Sequence, residues 1–504
     1  MTMKLKQLTR IILVSALVSS CAEYQDCPDG LGVIPCPTDV RVAQGEYKVC
    51  KDWKKDIVLK NDSGMSSEAY SIDVTKNRIK VRAGDRNGFL YAEQTLEQLI
   101  DHSDSTIAVC HIYDEPRFRY RGMHLDCARH IFSVSDIKSY IDIMATYKMD
   151  RFHWHLTDEQ GWRIECQTYP NLMEVGAWRD GTMIGKDLNS NNGIRYGGYY
   201  SKEDMKEIVN YAYDKGIEVI PEIDSPGHTL AALASYPEIG CTGGPYAVRT
   251  KWYHTSNALC PGKEATFRFL EGVLKETSEV FPYEYIHIGG DECGVEFWER
   301  CPDCQKRINQ EGIKGDSTYT AEQKLLGYYV SREQEILKSL GKKSIAWEEV
   351  LVGTPVPGTI ILAWTPENYK NAAKTAAKKG LDVVMTPDGY FYFNMYQTDN
   401  HDNAPLSYGG FTPLEKVYSF EPHDGLSKAE ADHVIGVQAC LWSEYCPSIE
   451  IAQYNILPRL LALSEVQWCK DKNYNRFLKS LNIKHKGIFE RNGWNYCSEF
   501  TKNN

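Results

Sequence analysis

From about residue 116 onward, short apolar runs alternate with longer amphipathic stretches, and the runs can be counted. Tyr120 to Leu125, Arg151 to Leu156, Glu218 to Ile223, Tyr285 to Ile288, Ser344 to Trp347, Thr359 to Trp364, Asp382 to Met385 and Val434 to Ala439 read as strands. Helical spacing fills the intervals at Ser135 to Tyr147, Ser201 to Lys215, Lys263 to Glu279, Thr320 to Ser339, Glu367 to Lys379 and Ile449 to Glu465, with Ser135 and Ser201 placed to cap two of the starts. Strand and helix in this alternation predict a parallel sheet. Eight strands is the number that closes a (β/α)8 barrel of the TIM type.

Ahead of the barrel the texture differs. Alternating strands such as Ser71 to Val74 and Arg78 to Val81, followed by a helical stretch from Arg86 to Ile100, predict a small α+β domain over residues 21–115. The barrel and its C-terminal helices then occupy residues 116–504. The first twenty residues read as a processing segment, because Lys4, Lys6 and Arg10 precede the apolar run Ile11 to Val18, which is too short to span a bilayer. Val18-Ser19-Ser20-Cys21 looks like a lipoprotein cleavage box, which makes Cys21 the candidate lipidation site. A plain secretory signal is the alternative.

Removal of that segment takes the formal charge from −11 to −14. An acidic chain of this kind is a poor partner for nucleic acid. Sixteen cysteines, with an export signal, point to an oxidising compartment in which some of them pair. Cys301-Pro302-Asp303-Cys304, with Cys293 upstream, is the nearest approach to a metal motif, and it lacks a second ligand pair at zinc spacing. The expectation is therefore no metal and no cofactor, with a disulfide or buried thiols in that loop.

Polar residues that look wasteful for a core follow the strand runs: Asp126 and Arg129 the first, Asp158 the second, Asp224 and His228 the third, Asp291 and Glu292 the fourth, Glu348 the fifth, and Trp442 and Glu444 the eighth. In a barrel these ends converge on one mouth. His287-Ile288-Gly289-Gly290-Asp291-Glu292 is the densest signal, since two glycines allow a sharp turn that presents both carboxylates. Six residues alone are also compatible with an ordinary polar turn. Adjacent residues leaving a strand diverge, so one carboxyl that donates a proton and one that holds a substrate group fit better than an acid and nucleophile pair.

From about Arg121 to Glu465 the chain resembles glycoside hydrolase family 20, the β-N-acetylhexosaminidases. The resemblance rests on Arg121-Gly122-Met123-His124-Leu125-Asp126-Cys127-Ala128-Arg129-His130, on His153-Trp154-His155-Leu156-Thr157-Asp158-Glu159-Gln160-Gly161-Trp162-Arg163, on Pro221-Glu222-Ile223-Asp224-Ser225-Pro226-Gly227-His228 and on the His287 to Glu292 element. The preceding domain resembles the module that commonly sits before this barrel. The resemblance implies Glu292 as general acid/base and Asp291 as the anion that orients the substrate acetamide while its carbonyl oxygen attacks the anomeric carbon, giving an oxazolinium ion. It further implies Arg121 on sugar hydroxyls, with a structural ion pair at the strand start as the alternative. Asp158 and His228 become a linked pair near Glu292, His228 having simple packing after a Pro-Gly turn as its alternative. Trp347, Trp364 and Trp442 become indole walls, Tyr392 a donor to the acetamide oxygen, and Glu444 a sugar-hydroxyl acceptor. Two positions depart from the family pattern, Asn394 for an Asp and Tyr408 for a Trp, which leaves gluco against galacto preference open.

The partner so implied is a glycan ending in a β-linked N-acetylhexosamine, with membrane contact only through the lipid. Oligomeric state is open. A disaccharide-releasing specificity in the same family and an inactive carbohydrate-binding lipoprotein are the competing readings, and the intact Asp291-Glu292 pair speaks against the second.

Overall fold

Eight parallel strands close into a barrel in chain order in a computed structural model that describes residues 24–501. They are β1 (Tyr120–Asp126), β2 (Arg151–His155), β3 (Glu218–Ser225), β4 (Tyr285–Gly289), β5 (Lys343–Trp347), β6 (Ile360–Ala363), β7 (Asp382–Met385) and β8 (Val434–Leu441). The circle closes where β8 pairs with β1, Val437 opposite Arg121 and Leu441 opposite Leu125. The strand expectations hold to within two residues at every end. Both faces of these strands are buried, so they read as continuous apolar runs rather than alternating ones. Tyr120, Ile220, Ile345, Trp347, Leu362, Val384 and Cys440 pack on one another inside the barrel, whereas Met123, Leu125, Phe152, Ile223 and Val437 face the surrounding helices.

Two helix expectations need correction. The first helix runs Val134–Thr146 and is capped by Ser133, not Ser135: the Ser133 hydroxyl accepts from the Asp136 N–H while the Asp136 side chain returns to the Ser133 N–H. Ser201 caps Lys202–Asp214 in the same way through Asp204. The stretch from Ile449 is two helices, Ile449–Ile456 and Arg459–Trp468, because Pro458 has no N–H to continue the ladder.

The N-terminal domain is a six-stranded sheet whose spatial order is Gln25–Asp26, Asp39–Lys48, Thr106–Asp114, Tyr70–Thr75, Arg78–Ala83 and Ile57–Asn61. Helix Arg86–Leu99, capped by Asp85, buries Tyr91, Ala92 and Leu96 with Tyr70, Ile72 and Val81. Among the described residues no helix is long and apolar enough to cross a membrane. The expected processing segment and Cys21 lie outside the described residues.

The two domains meet across buried charge. Lys148 and Asp114, both fully buried, pair at 2.8 Å, and Trp468 Nε1 donates to the same carboxylate at 2.8 Å. Beside them Arg121 binds Glu68 at 2.8 Å and Asp150 at 3.1 Å, donates to the Lys148 and Phe118 carbonyls, and lies over the Tyr91 and Trp468 rings. This overturns the sugar-binding expectation for Arg121. The residue opens β1 and so sits at the N-terminal end of the barrel, opposite the mouth, with its donors already taken.

The structural role makes a measurable prediction. Arg121→Met leaves Asp150 buried without its main partner, so unfolding free energy from urea titration should fall by about 3–5 kcal/mol. A loss under about 1 kcal/mol, the worth of an exposed pair, would contradict the burial argument.

Candidate active site

The turn after β4 is built on the absence of side chains. Gly289 and Gly290 adopt φ of 70° and 101°, and a Cβ would lie 1.7 Å from Asp224 Oδ1 at the first and 2.4 Å from Val350 Cγ1 at the second. The chain then carries Asp291 and Glu292 onto the barrel mouth. Glu292 has φ 47° and His228, on the facing loop after β3, has φ 54°. Left-handed backbone at a non-glycine residue stores roughly 1–3 kcal/mol and persists only where packing enforces it. Both strained residues belong to the same wall.

That wall encloses a cavity of about 280 Å³. Trp364 and Tyr392 are nearly parallel, 6.0 Å apart at 11°, and Trp442 lies 6.1 Å from Tyr392. Around these rings, Asp291 Oδ1, Asp388 Oδ1, Asn394 Oδ1, Trp442 Nε1 and Glu444 Oε2 are all buried with no hydrogen-bond partner in the protein. Five polar side-chain atoms that no protein group engages, all facing one hollow, make a lining suited to a polar ligand. A larger hollow of about 590 Å³ opens beyond Trp364 and shares only Trp364 and Glu292 with the first.

Charge in the cavity is ordered by a relay of contacts. Asp158 takes Arg129 Nη2 at 2.8 Å, His155 Nε2 at 2.9 Å and His228 Nδ1 at 3.3 Å. Burial alone would raise its carboxyl, but Arg129 and His228 beside it hold it far below the usual carboxylate range. Burial likewise works against a charged His228, and Asp158 and Asp291 outweigh it, so this imidazole is protonated well above its ordinary range. His228 Nε2 stands 3.4 Å from Glu292 Oε2 and 3.7 Å from Asp291 Oδ2, and His254 Nδ1 is 3.2 Å from Glu292. Burial would raise Glu292, yet the two imidazoles hold it below its usual value. Asp291 is pushed up to about 6, chiefly by burial. Burial also lifts Glu444 to about 7 against the pull of Arg129.

Comparison with known proteins decides the family. The model of the glycosyl hydrolase family 20 catalytic domain matches residues 118–471, and that of the family's domain 2 matches residues 38–115. The chain belongs to glycosyl hydrolase family 20. It is 39% identical over 415 residues to a β-hexosaminidase of Porphyromonas gingivalis, an alignment covering 80% of this chain and 51% of the relative. The chain therefore spans about half the length of that protein. A β-hexosaminidase of Akkermansia muciniphila is 32% identical over 446 residues, 87% of each chain. The family 20 exo-β-N-acetylglucosaminidase of Vibrio harveyi, solved in complex with N-acetylglucosamine, superposes with a TM-score of 0.81 at 32% identity over 94% of this chain and 80% of that one.

Within this family-20 barrel the expected residues divide. Glu292, Asp291, Asp158, His228, Trp364, Tyr392, Asn394, Trp442 and Glu444 line the one cavity. Trp347 lies a layer beneath it, its Nε1 donating to Glu222 at 2.9 Å and its ring 6.1 Å from Trp442, so it supports the wall rather than forming it. Arg121 is absent. Arg129, which follows β1 at the mouth, is the arginine that reaches the cavity, bound to Asp126 and Asp158 and stacked over Trp442 at 5.1 Å. Its place after a strand run was the signal that distinguishes it from Arg121 at a strand start. Trp252, Tyr253 and His254 also line the cavity, from a long loop without periodicity that offers no pattern to read. Glu349, its carboxylate 3.2 Å from Trp364 Nε1, was unforeseen as well; burial and the Asp291 charge drive its carboxyl well above the ordinary range.

A second correction lies outside the cavity. Cys301 and Cys304 do have a second pair, Cys241 and Cys260, supplied by an upstream loop, 41 residues away from Cys260 to Cys301 and 63 from Cys241 to Cys304, that folding lays against them.

The raised Asp291 carboxyl carries a cost in stability. Unfolded, this Asp ionises at its ordinary value of 3.8; folded, at about 6. Between those values the native state holds a proton that the unfolded chain has lost, so stability declines as pH rises through that window. Asp291→Asn removes the penalty and should exceed the native protein in stability at pH 7 by up to about 3 kcal/mol, a gain that vanishes near pH 4. Melting curves at both pH values check it, and a pH-independent difference would contradict it.

Proposed function

We propose that this chain is an exo-acting retaining β-N-acetylhexosaminidase that removes terminal non-reducing β-linked N-acetylglucosamine or N-acetylgalactosamine, with the substrate's own acetamide as nucleophile. One observation carries the reading: a cavity walled by three aromatic rings and bounded by five polar atoms without a protein partner, with Asp291 buried in it and Glu292 at its rim. The names of the relatives support it, and so does the sugar bound by the Vibrio harveyi protein. At about 280 Å³ the hollow lies just below the usual range of ligand pockets, roughly 300–1,000 Å³, which favours a single sugar over a disaccharide.

In this reading the aromatic walls take the acetamido methyl and the apolar ring face, while Arg129, Asn394 and Glu444 meet hydroxyls. The acetamide oxygen attacks the anomeric carbon as Glu292 gives its proton to the leaving oxygen. Asp291 accepts from the acetamide N–H, and as an anion it stabilises the charge that builds on that nitrogen in the transition state. Water then opens the oxazolinium ring with Glu292 as base. Export and lipid anchoring through Cys21 belong to the same proposal, on the strength of the Val18-Ser19-Ser20-Cys21 box. Replacement of Cys21 by Ser should release the protein from membranes, as fractionation would show, and a variant that stays attached contradicts the anchor.

The chemistry is tested by substrate exchange. An aryl β-N-acetylglucosaminide should turn over and the matching β-glucoside should not. Glu292→Gln should lower kcat by roughly 10²- to 10⁴-fold on oligosaccharides, less on activated aryl leaving groups. Asp291→Asn should lower kcat by about 3–4 kcal/mol equivalent and weaken binding of a thiazoline mimic in parallel. Mass spectrometry of enzyme quenched during turnover should find no glycosyl group on any carboxylate of the chain, and such an adduct would overturn substrate assistance.

A further inference from the structure

We propose that Cys241, Cys260, Cys301 and Cys304 bind a structural Zn²⁺ ion that clamps the loop after β3 to the loop after β4. The four sulfurs lie within 4.8 Å of one another. Cys260 Sγ is 3.4 Å from Cys304 Sγ and 3.6 Å from Cys301 Sγ, and Cys304 Sγ is also 3.8 Å from Cys241 Sγ. A tetrahedron with metal–sulfur bonds of about 2.3 Å has edges of about 3.8 Å, whereas a disulfide needs about 2.0 Å. Cys260 and Cys304 each face two partners, which is the connectivity of one tetrahedral cluster and not of two separate pairs.

The surroundings fit a metal and little else. Cys260, Cys301 and Cys304 are buried, with Cys241 partly so. Cys301-Pro302-Asp303-Cys304 is a tight two-residue spacer at the start of helix Pro302–Gln310, and the chain at Gly262 presses so close that a Cβ would lie 2.2 Å from the Asp303 carbonyl carbon and 2.5 Å from the Cys304 nitrogen. Four sulfur donors complete the sphere of zinc and leave no position for substrate, so the site is closed and structural. Binding forms four Zn–S bonds and releases the thiol protons to solvent, with no change of oxidation state.

The clamp has a purpose at the mouth. The loop between Cys241 and Cys260 carries Trp252, Tyr253 and His254, and the segment before Cys301 carries Asp291 and Glu292. Tying their ends together holds His254 within 3.2 Å of Glu292. The metal site itself stands apart from the proposed reaction, and its test does not pass through activity.

The full chain, purified without chelator or reductant, should contain about one zinc ion per molecule by elemental mass spectrometry. Cys301→Ser and Cys304→Ser should lose it, and Cys293→Ser, which is not one of the four, should keep it. Exchange into cobalt should give the sulfur-to-metal charge-transfer absorption of a tetrahedral thiolate site, a readout on the native chain that stands even where the serine variants fail to fold. A chain free of metal, one that holds iron instead, or peptide maps that join Cys241 to Cys304 and Cys260 to Cys301 by disulfides would each overturn the proposal.

Discussion

The structure depends on one carboxylate that has been taken entirely out of water. Glu222, in the middle of β3, is fully buried inside the barrel and is met by His153 Nε2 at 3.1 Å, His287 Nδ1 at 2.9 Å, Trp347 Nε1 at 2.9 Å and His155 Nδ1 at closer range. Isolated there, the anion would cost several kcal/mol. With this cage, burial is outweighed and Glu222 stays ionised far below the ordinary range, His155 becomes a cation, and His153 is left neutral, pushed down to about 4 chiefly by burial. His155 is the hinge of the arrangement, since its other nitrogen binds Asp158, and Asp158 in turn holds Arg129 and His228. A single buried charge thus fixes the rotamers and protonation of groups from the barrel centre to Glu292 at the mouth.

The two ends of the barrel answer opposite requirements. At the N-terminal end the charged groups of the domain junction are paired with one another: Arg121 with Glu68 and Asp150, and Lys148 with Asp114, while Glu465 Oε1 accepts from the Cys36 N–H. That end holds two domains together and does nothing else. At the C-terminal end Asp291, Asp388, Asn394, Trp442 and Glu444 each turn toward one cavity a polar atom that no other protein group engages.

This asymmetry also explains what could be read from the chain. The barrel was legible because buried parallel strands leave uninterrupted apolar runs and the helices between them are amphipathic. Most of the cavity was legible because Asp158, His228, Asp291, Glu292, Trp442 and Glu444 all follow such runs within a few residues. What failed was contact between distant segments. Arg121 and Arg129 stand in one motif, eight residues apart, and only closure of the barrel sends one to the floor and the other to the mouth. His254 and the Cys241–Cys260 pair lie in a loop whose conformation is set by what it packs on, so its local sequence carries no period. Ser135 was displaced by Ser133 as the cap because both sit at the helix start, and Asp136 falls three residues after Ser133.

The resting charges run against the proposed roles, and this defines what substrate must accomplish. Glu292, the proton donor, is held ionised by His228 and His254, while Asp291, the anion, is drawn toward its protonated form by burial. An acetamide N–H beside Asp291 gives that carboxylate the hydrogen bond it lacks and lowers its affinity for a proton. An aglycone against Glu292 removes water and competes with His254, which is half exposed and easily displaced, so the same carboxyl is raised. The proton that His228 holds 3.4 Å away then has a better acceptor than before. In the proposed mechanism, substrate binding and protonation of the acid are then one event, and a sugar without the acetamide leaves Asp291 and Glu292 in the order they have at rest.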